Sequence, residues 1–276
     1  MEFDFTEELK NKISDNILSV KESIREAEAL AGRDPGSVTL IGVTKVFPVE
    51  YAEAAAVSGL VDLGENRVQE LVPKVERFSS LGLDVNWHLI GTLQKNKVKY
   101  IIGKTSLIHS VNTVELAEEI SKRSLSNNVT TSILLQANVS GEESKHGFAP
   151  HELKPAIDKI MDMPAIKLCG LMTMAPIETY EGEAREVFAK TRVIYEDLRS
   201  YTGLDSWNVL SMGMSQDYRS AILEGSTHIR IGTAIFGNSA EYSRTDSDMR
   251  GTLINGALIV LAHAHGQYIP AIKTRI

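Results

Sequence analysis

The chain has 276 residues and a formal net charge of −7, from 29 Lys and Arg against 36 Asp and Glu. With 43% hydrophobic and 24% charged residues, its composition is that of a globular protein and excludes a disordered or collagen-like chain. The acidic balance argues against a phosphate-neutralising surface for nucleic acid, and the single cysteine, Cys169, excludes an intrachain disulfide and a cysteine-based zinc site.

No segment has the pattern of a secretory signal or of a membrane-spanning helix. The first residues are acidic and polar, without a basic or an apolar region. The longest apolar stretch, residues 253–264, is interrupted by polar residues and falls short of the about 20 residues that a transmembrane helix needs. We therefore expect a cytoplasmic protein with no membrane partner.

Strand-like and helix-like segments alternate along the chain after a leading helix at 7–30. The strand candidates are short runs rich in β-branched residues, and the helix candidates have apolar residues spaced three and four apart. The eight strand candidates are 38–43, 60–63, 85–90, 107–109, 132–138, 166–171, 207–210 and 228–231. The main helix candidates between them are 50–58, 67–78, 113–123, 150–161, 183–201 and 215–223.

This alternation predicts an α/β fold, a closed (β/α)₈ TIM barrel. Several strand candidates are apolar almost throughout, as are parallel strands that are buried on both faces. A doubly wound open sheet is the main alternative, because periodicity does not show whether a sheet closes. We expect a single barrel domain over residues 1–237 and a C-terminal tail over residues 238–276, where a polar stretch precedes an apolar one.

A lysine directly follows the first strand candidate. Functional groups of such barrels gather where strands end and the next loops begin. Lys45, in LIGVTKVFP, stands at this position. Partial desolvation at the barrel mouth would free its amine to attack a carbonyl group and form a Schiff base. The alternative is a side chain that simply extends to solvent.

Two further loops carry polar residues for which structural roles suffice. In GENRVQE, residues 64–70, Glu65 and Asn66 are placed both to cap the following helix and to face the barrel mouth. In WHLIGTLQKNK, residues 87–97, His88 lies within an apolar strand, where a hydrogen-bonded core histidine is more common than an acid or base.

The loops after the last two strand candidates are rich in glycine and hydroxyl groups. Ser211 follows the seventh candidate, and Gly232 and Thr233 follow the eighth. Barrels commonly bind phosphate with these two loops, because glycine lets the backbone N–H groups approach an anion and hydroxyl groups add donors. Arg230, inside the eighth candidate, requires either an ion-pair partner or a ligand.

A lysine at one strand end and a phosphate site at two others indicate an aldehyde that carries a phosphate. Pyridoxal 5′-phosphate (PLP) is such a molecule, and so is a sugar-phosphate substrate of a Schiff-base aldolase. An arginine at the pyridine nitrogen keeps that nitrogen unprotonated and weakens the ring as an electron sink.

The sequence resembles the YggS/PROSC-type pyridoxal phosphate homeostasis protein family, whose members look like the N-terminal barrel of alanine racemase. The resemblance covers residues 38–237 and consists of motifs in family order. These are VTK, GENRVQE, WHLIGTLQKNK, HSV, NVSGEESKHGF, GLMTMAP, SMGMSQDY and GSTHIRIGTAIFG. Two features depart from the family pattern: Thr92 stands where many members carry histidine or arginine, and the family usually ends near Gly237.

The resemblance implies that PLP is the cofactor and assigns a role to each residue that binds it. Lys45 would hold PLP as a Schiff base, and Arg230 would face the pyridine nitrogen. The phosphate would be held by Ser211, Gly232 and Thr233, and two further residues would line the pocket. The implied cofactor-binding residues are Lys45, Asn66, Ser211, Met212, Arg230, Gly232 and Thr233.

The resemblance further implies a role in vitamin B6 and amino-acid homeostasis, with no established reaction. Racemisation needs a second acid or base opposite the lysine, which a separate domain supplies in alanine racemase-like enzymes. Residues 238–276 are fewer than the roughly 50 residues of an independent domain. We therefore expect a non-catalytic protein, a monomer or weak dimer, with PLP-dependent enzymes as recipients of the cofactor.

Two other functions stay open from the sequence. One is a PLP-dependent amino-acid racemase or lyase that uses the same Lys45. The other is an interaction protein whose tail, residues 238–276, docks on a vitamin B6 enzyme.

Overall fold

The structure is a computed structural model that describes residues 5–142, 146–176 and 182–238. Within these residues, parallel strands form a closed barrel in the order β1 to β8, and β8 pairs with β1. The strands are β1 Thr39–Val43, β2 Asp62–Glu65, β3 Asn86–Leu89, β4 Leu107–Val111, β5 Thr131–Gln136, β6 Ile166–Met172, β7 Val209–Met214 and β8 His228–Ile231. The closed order confirms the predicted TIM barrel and excludes the open sheet.

Helices follow most of the strands, in the segments where apolar spacing predicts them. They are α1 Glu7–Leu30, α2 Val49–Val57, α3 Val68–Leu81, α4 Val114–Ser126, α5 Leu153–Met161, α6 Glu183–Thr202, α7 Tyr218–Leu223 and α8 Thr233–Phe236. Between β3 and β4 the connection is a 3-10 helix, Lys95–Tyr100, and a second one, Pro150–Glu152, precedes α5. Among the described residues, no helix is long and apolar enough to cross a membrane.

The leading helix α1 covers the side of the barrel formed by α2, α7 and α8. The Thr6 hydroxyl caps it by accepting a hydrogen bond from the Leu9 N–H at 3.2 Å. Its buried apolar residues recur at spacings of three and four: Ile13, Ile17, Val20 and Ile24. Asn16 Nδ2 donates to the carbonyl oxygen of Ile235 at 2.8 Å, which joins α1 to α8 just after β8.

The seventh strand is longer than the sequence predicts. Its β-branched run ends at Leu210, but pairing with β8 continues through Ser211 and Met214. The extension occurs because neighbouring strands complete the hydrogen bonds of this segment, which local composition does not show. Ser211 and Met212 therefore lie on strand β7 and not in the loop that follows it.

The barrel has an apolar outer layer and a partly polar interior. Alternate residues of the strands pack outward against the helices, as Leu89, Ile108 and Leu210 do in the main hydrophobic core. Inward residues include the buried polar side chains His109 and Arg230. Residues 239–276 of the predicted tail lie outside the described residues, so the division at residue 237 stays a prediction.

Candidate functional site

Lys45 lies in a tight turn directly after β1. The Phe47 N–H donates to the carbonyl oxygen of Thr44 at 3.2 Å, which closes the turn around Lys45 and Val46. Thr44 is completely buried, whereas Lys45 is exposed. The expected partial desolvation of Lys45 is thus absent from this structure, and its amine reaches solvent at the carboxyl end of the barrel.

Val46 has a left-handed backbone conformation that branched residues rarely adopt. Its φ is +61°, at a position of the turn where glycine is favoured. The Val46 N–H donates to Glu70 Oε2 at 3.0 Å, so a carboxylate at the start of α3 holds the strained residue. The turn that presents Lys45 is therefore fixed from two sides.

Replacing Val46 with glycine is expected to stabilise the protein. The left-handed conformation costs about 1–3 kcal/mol for a non-glycine residue, whereas glycine costs roughly 0.5–1 kcal/mol in chain entropy. We expect the urea unfolding free energy to rise by about 0.5–1 kcal/mol. The control Val193→Gly, at an exposed site within α6, should lower it by a similar amount. If Val46→Gly lowers the unfolding free energy, the backbone of Val46 is not strained.

A buried ion pair lies beneath the Lys45 turn. Lys74 of α3 donates to the carbonyl oxygen of Thr44 at 2.9 Å and forms a very short contact with Glu65 Oε1. The Thr44 hydroxyl donates to the same Glu65 oxygen at 2.7 Å. Burial raises the pKa of Glu65, although the Lys74 ammonium group opposes the rise. The ammonium group thus binds the turn and the end of β2 together.

The capping role predicted for Glu65 is wrong. The N-cap of α3 is Arg67, whose side chain makes no capping hydrogen bond, and the Glu65 carboxylate instead pairs with Lys74 and accepts from the Asn66 N–H at 3.2 Å. The sequence pattern does not reveal the role of Lys74, because a lysine within a helix is usually solvated. Its partner, Glu65, is nine residues away on a strand. Only the packing of α3 on the barrel brings the two charges together.

Asn66 follows β2 at the barrel mouth, where its backbone lies against Gly91. A Cβ atom at Gly91 would meet the Asn66 Cα at 2.8 Å and its carbonyl carbon at 2.9 Å. Gly91 is also fixed from below, since the Ser110 hydroxyl donates to its carbonyl oxygen at 2.6 Å. Glycine in WHLIG is therefore required by the close approach of the loop that carries Asn66.

Gly91→Ala is accordingly expected to displace the Asn66 loop. We expect a loss of about 1–3 kcal/mol in unfolding free energy, typical of an added methyl group without space. Gly103→Ala is the control: its φ of +76° imposes strain, but nothing lies within 4 Å of the added atom. Both variants should lose stability, and only Gly91→Ala should change a ligand-binding signal at the mouth. If Gly91→Ala and Gly103→Ala give the same ligand-binding signal, Gly91 does not position the Asn66 loop.

Arg230 is buried inside the barrel with neutral hydrogen-bond partners. Its Nη1 donates to Ser211 Oγ at 2.6 Å, and its Nη2 donates to the carbonyl oxygen of Thr173 at 3.0 Å. Burial lowers the pKa of Arg230 to about 10, with Asp217 opposing that change. The group remains a cation at neutral pH, and among the described residues it forms no ion pair. A buried cation of this kind suits a ligand that accepts a hydrogen bond.

Of the residues expected to hold a phosphate, Ser211 lies deepest. It is fully buried, and its hydroxyl contacts both Arg230 and His109. The prediction that Met212 lines the pocket does not hold for its side chain. That side chain is fully buried in the main hydrophobic core between the strands and the surrounding helices. The cause is the strand conformation of this segment, in which neighbouring side chains point to opposite faces.

Gly232 and Thr233, two of the residues predicted to hold a phosphate, lie just beyond β8. Gly232 faces the end of β1, because a Cβ atom there would lie 3.5 Å from the carbonyl oxygen of Val43. Its N–H donates to Ser215 Oγ at 3.3 Å, and Thr233 is exposed. Ser215, within SMGMSQDY, thus lies beside Gly232, and no local pattern in the sequence distinguishes it from Ser211.

His88 and His109 form the floor of the interior. His88 Nδ1 lies 3.0 Å from His109 Nε2, and His88 Nε2 lies 3.0 Å from Asp62 Oδ1. His88 is thus the hydrogen-bonded core histidine that the sequence predicts. His109, in the HSV motif, was not singled out, because a histidine in a short apolar strand carries no local signal of its partners.

Comparisons with known proteins identify the family and the fold of the chain. The family described as "Alanine racemase, N-terminal domain" matches residues 19–240. A "Pyridoxal phosphate homeostasis protein" from Aquifex aeolicus is 42% identical over 222 residues, which are 79% of this chain and 94% of that protein. PipY from Synechococcus elongatus, solved with PLP bound, is 33% identical with a TM-score of 0.68 and covers 78% of this chain and all (100%) of its own.

A more distant likeness concerns the fold alone. Alanine racemase from Clostridium difficile is 16% identical, with a TM-score of 0.63. The match covers 83% of this chain and 57% of the racemase. The racemase therefore contains a comparable barrel and a large further part that this match does not include.

Proposed function

Because the chain belongs to the pyridoxal phosphate homeostasis proteins, within the alanine racemase N-terminal domain family, we propose that it binds PLP and serves vitamin B6 and amino-acid homeostasis without catalysing a reaction. The observation that carries the proposal is the buried Arg230 of β8, the strand next to β1, which donates to two neutral groups, the Ser211 hydroxyl and the Thr173 carbonyl oxygen. It offers a fixed cationic donor inside a barrel whose mouth also carries a lysine.

The residues present fit PLP by their chemistry. Lys45 supplies an exposed amine for a Schiff base with the aldehyde, and Arg230 supplies donors for the pyridine nitrogen. Gly232, Thr233 and Ser215 offer backbone and hydroxyl donors for the phosphate at the end of β8. Bound PLP supplies an electrophilic aldehyde and an electron-withdrawing ring, which a facing arginine leaves unprotonated and therefore a weak electron sink.

The assignments of the remaining residues follow their positions. We assign to Ser211 the role of holding Arg230 in place. The role in phosphate binding is assigned to Ser215, because its hydroxyl accepts a hydrogen bond from the Gly232 N–H. Asn66 lines the mouth beside Gly91. Met212 contributes through its backbone, because its side chain belongs to the outer core.

The names of the relatives support a non-catalytic role, and the exposure of Lys45 agrees with it. PLP enzymes that rely on carbanion chemistry exclude water from the reacting atoms, whereas this lysine reaches solvent. A protein of this kind is suited to hold PLP and release it to PLP-dependent enzymes. Such a carrier would act in the cytoplasm as a monomer or weak dimer.

The decisive experiment is a titration of the purified protein with PLP, followed by borohydride reduction and peptide mapping. We expect a visible absorption band that reduction abolishes, with the label on the peptide that contains Lys45. The same protein is then incubated with L- and D-amino acids, and the enantiomers are separated by chiral chromatography. Failure to take up PLP would overturn the binding proposal, and turnover that requires Lys45 would establish the racemase or lyase instead.

A further inference from the structure

The barrel interior contains a continuous series of hydrogen-bonded polar groups that begins at the partly exposed Asp62 and ends at the buried Arg230. In order, they are Asp62, His88, His109, Ser211 and Arg230, with contacts of 3.0, 3.0, 2.9 and 2.6 Å. We name these five residues the interior chain. His109 lies on β4 and Ser211 on β7, which are not neighbours in the barrel, so their contact crosses the interior. Nothing in the proposed function requires the two histidines.

The two ends of the interior chain fix the direction of its hydrogen bonds. Arginine only donates, so Ser211 Oγ accepts from Arg230. At the other end, burial raises the pKa of Asp62, but the hydrogen bonds from His88 and Asn86 and the nearby histidines together outweigh burial, so the net pKa lies below its usual value. Asp62 is therefore a carboxylate that only accepts, and His88 Nε2 must carry a proton.

The intervening groups follow from this boundary. Burial, followed by the influence of His88 and Arg230, places the pKa of His109 well below its usual value, so its ring carries one proton. In the arrangement with a single proton on His88, held at Nε2 by Asp62, His88 Nδ1 accepts from His109 Nε2. His109 Nδ1 then accepts from the Ser211 hydroxyl. Every donor in the interior chain thus points towards Asp62.

The neighbouring groups do not disturb this arrangement. His228 of β8 is the other ring near His88, with centroids 6.5 Å apart, and its Nδ1 is bound by the Thr227 hydroxyl at 2.9 Å. Burial, and then His88, lower the pKa of His228 to about 4, so it is neutral as well. The Arg230 cation and the Asp62 carboxylate thus lie at opposite ends of the interior chain.

We propose that His109, supported by His88, is a positioning residue for Arg230 that acts through the Ser211 hydroxyl. By accepting a hydrogen bond from the Ser211 hydroxyl, His109 turns the lone pairs of Ser211 towards Arg230. This fixes the guanidinium group in one orientation. The N–H groups of Arg230 that its contacts with Ser211 and Thr173 do not use are then held in a fixed orientation for a ligand. The inference rests on the proposed function, since it concerns the group that would meet the pyridine ring.

The arrangement is tested first on the wild-type protein without PLP. Side-chain ¹⁵N NMR at neutral pH should show both His88 and His109 with the proton on Nε2 and none on Nδ1. A proton on Nδ1 of His109, or two protons on His88, would overturn the proposed direction. This measurement needs no variant and no cofactor, so it is independent of whether the protein binds PLP.

The consequence for the cofactor site is tested with two variants of one residue. An asparagine at position 109 can place an acceptor near the Nδ1 position, and a glutamine can place its amide near the Nε2 position. His109→Gln should therefore lose the contact with Ser211 and weaken PLP binding about tenfold, the equivalent of one hydrogen bond. His109→Asn should stay within about twofold of the wild type, because that bond is kept.

A matched control removes a different buried side chain of the barrel. Cys169 belongs to a small buried apolar cluster with Leu107, Met172 and Val209, and its thiol donates to the carbonyl oxygen of Lys167 at 3.4 Å. Cys169→Ala should leave PLP affinity unchanged. Equal weakening by His109→Gln, His109→Asn and Cys169→Ala would overturn the positioning role. Absence of PLP uptake by the wild type would count against the proposed function, while the NMR result still decides the interior chain.

Discussion

The Lys45→Ala variant is expected to lose all borohydride-stable attachment of PLP. The amine of Lys45 is exposed at the end of β1, next to the strand that carries Arg230, and alanine has no nucleophile to replace it. PLP should then be retained only through its phosphate and ring contacts, and gel filtration should remove it. Absorption spectra before and after reduction, with mass spectrometry of the intact protein, measure the effect.

The control for this variant is a lysine far from the barrel mouth. Lys12 is exposed on α1, and Lys12→Ala should be labelled to the same extent as the wild type. Equal labelling of the wild type and Lys45→Ala would show that another lysine holds the aldehyde. The fold should be unchanged in both variants, because neither side chain is buried.

Lys74→Met is expected to cause the largest loss of stability. It would leave the fully buried Glu65 without its cation, and removing one partner of such a pair typically costs about 3–5 kcal/mol. Thr44 would also lose the donor that holds its carbonyl oxygen, so the Lys45 turn should loosen. Urea unfolding followed by circular dichroism measures the loss.

The pH dependence identifies the cause. Burial raises the pKa of Glu65, so the folded state binds this proton more tightly than the unfolded state, and stability falls as the pH rises through the interval between the two pKa values. Without Lys74 the folded pKa should rise further. The loss of unfolding free energy caused by Lys74→Met should therefore be smaller in mildly acidic buffer than in alkaline buffer, because a protonated Glu65 carries no charge.

Two controls complete the design. Lys104 and Glu76 form an ion pair of 3.1 Å whose side chains are 34% and 65% exposed, and Lys104→Met should cost less than about 1 kcal/mol. The double variant Glu65→Gln with Lys74→Met should recover part of the loss, since it removes the buried charge. If the loss of unfolding free energy in Lys74→Met does not change with pH, the unpaired Glu65 carboxylate is not its cause.

Much of the fold could be predicted from local patterns. The spacing of apolar residues gave α1 at its observed bounds, and β-branched runs located every strand of the described barrel. The motifs indicated which strand ends carry chemistry. The ends of strands were harder to predict, as β7 shows, because Ser211 and Met214 pair with β8 residues that lie 17 and 16 positions away in sequence.

What the sequence alone determined is the class of fold, the family and the positions of Lys45, Arg230 and the two late glycine-rich loops. These follow from periodicity and from motifs, which are local. Only the tertiary structure decided the partners: Lys74 beneath the Lys45 turn, Ser215 at Gly232, and His109 at Ser211, 102 residues apart in sequence. Closure of the barrel brings such groups together across its interior, and their burial makes each unpaired polar group so costly that the contacts become specific.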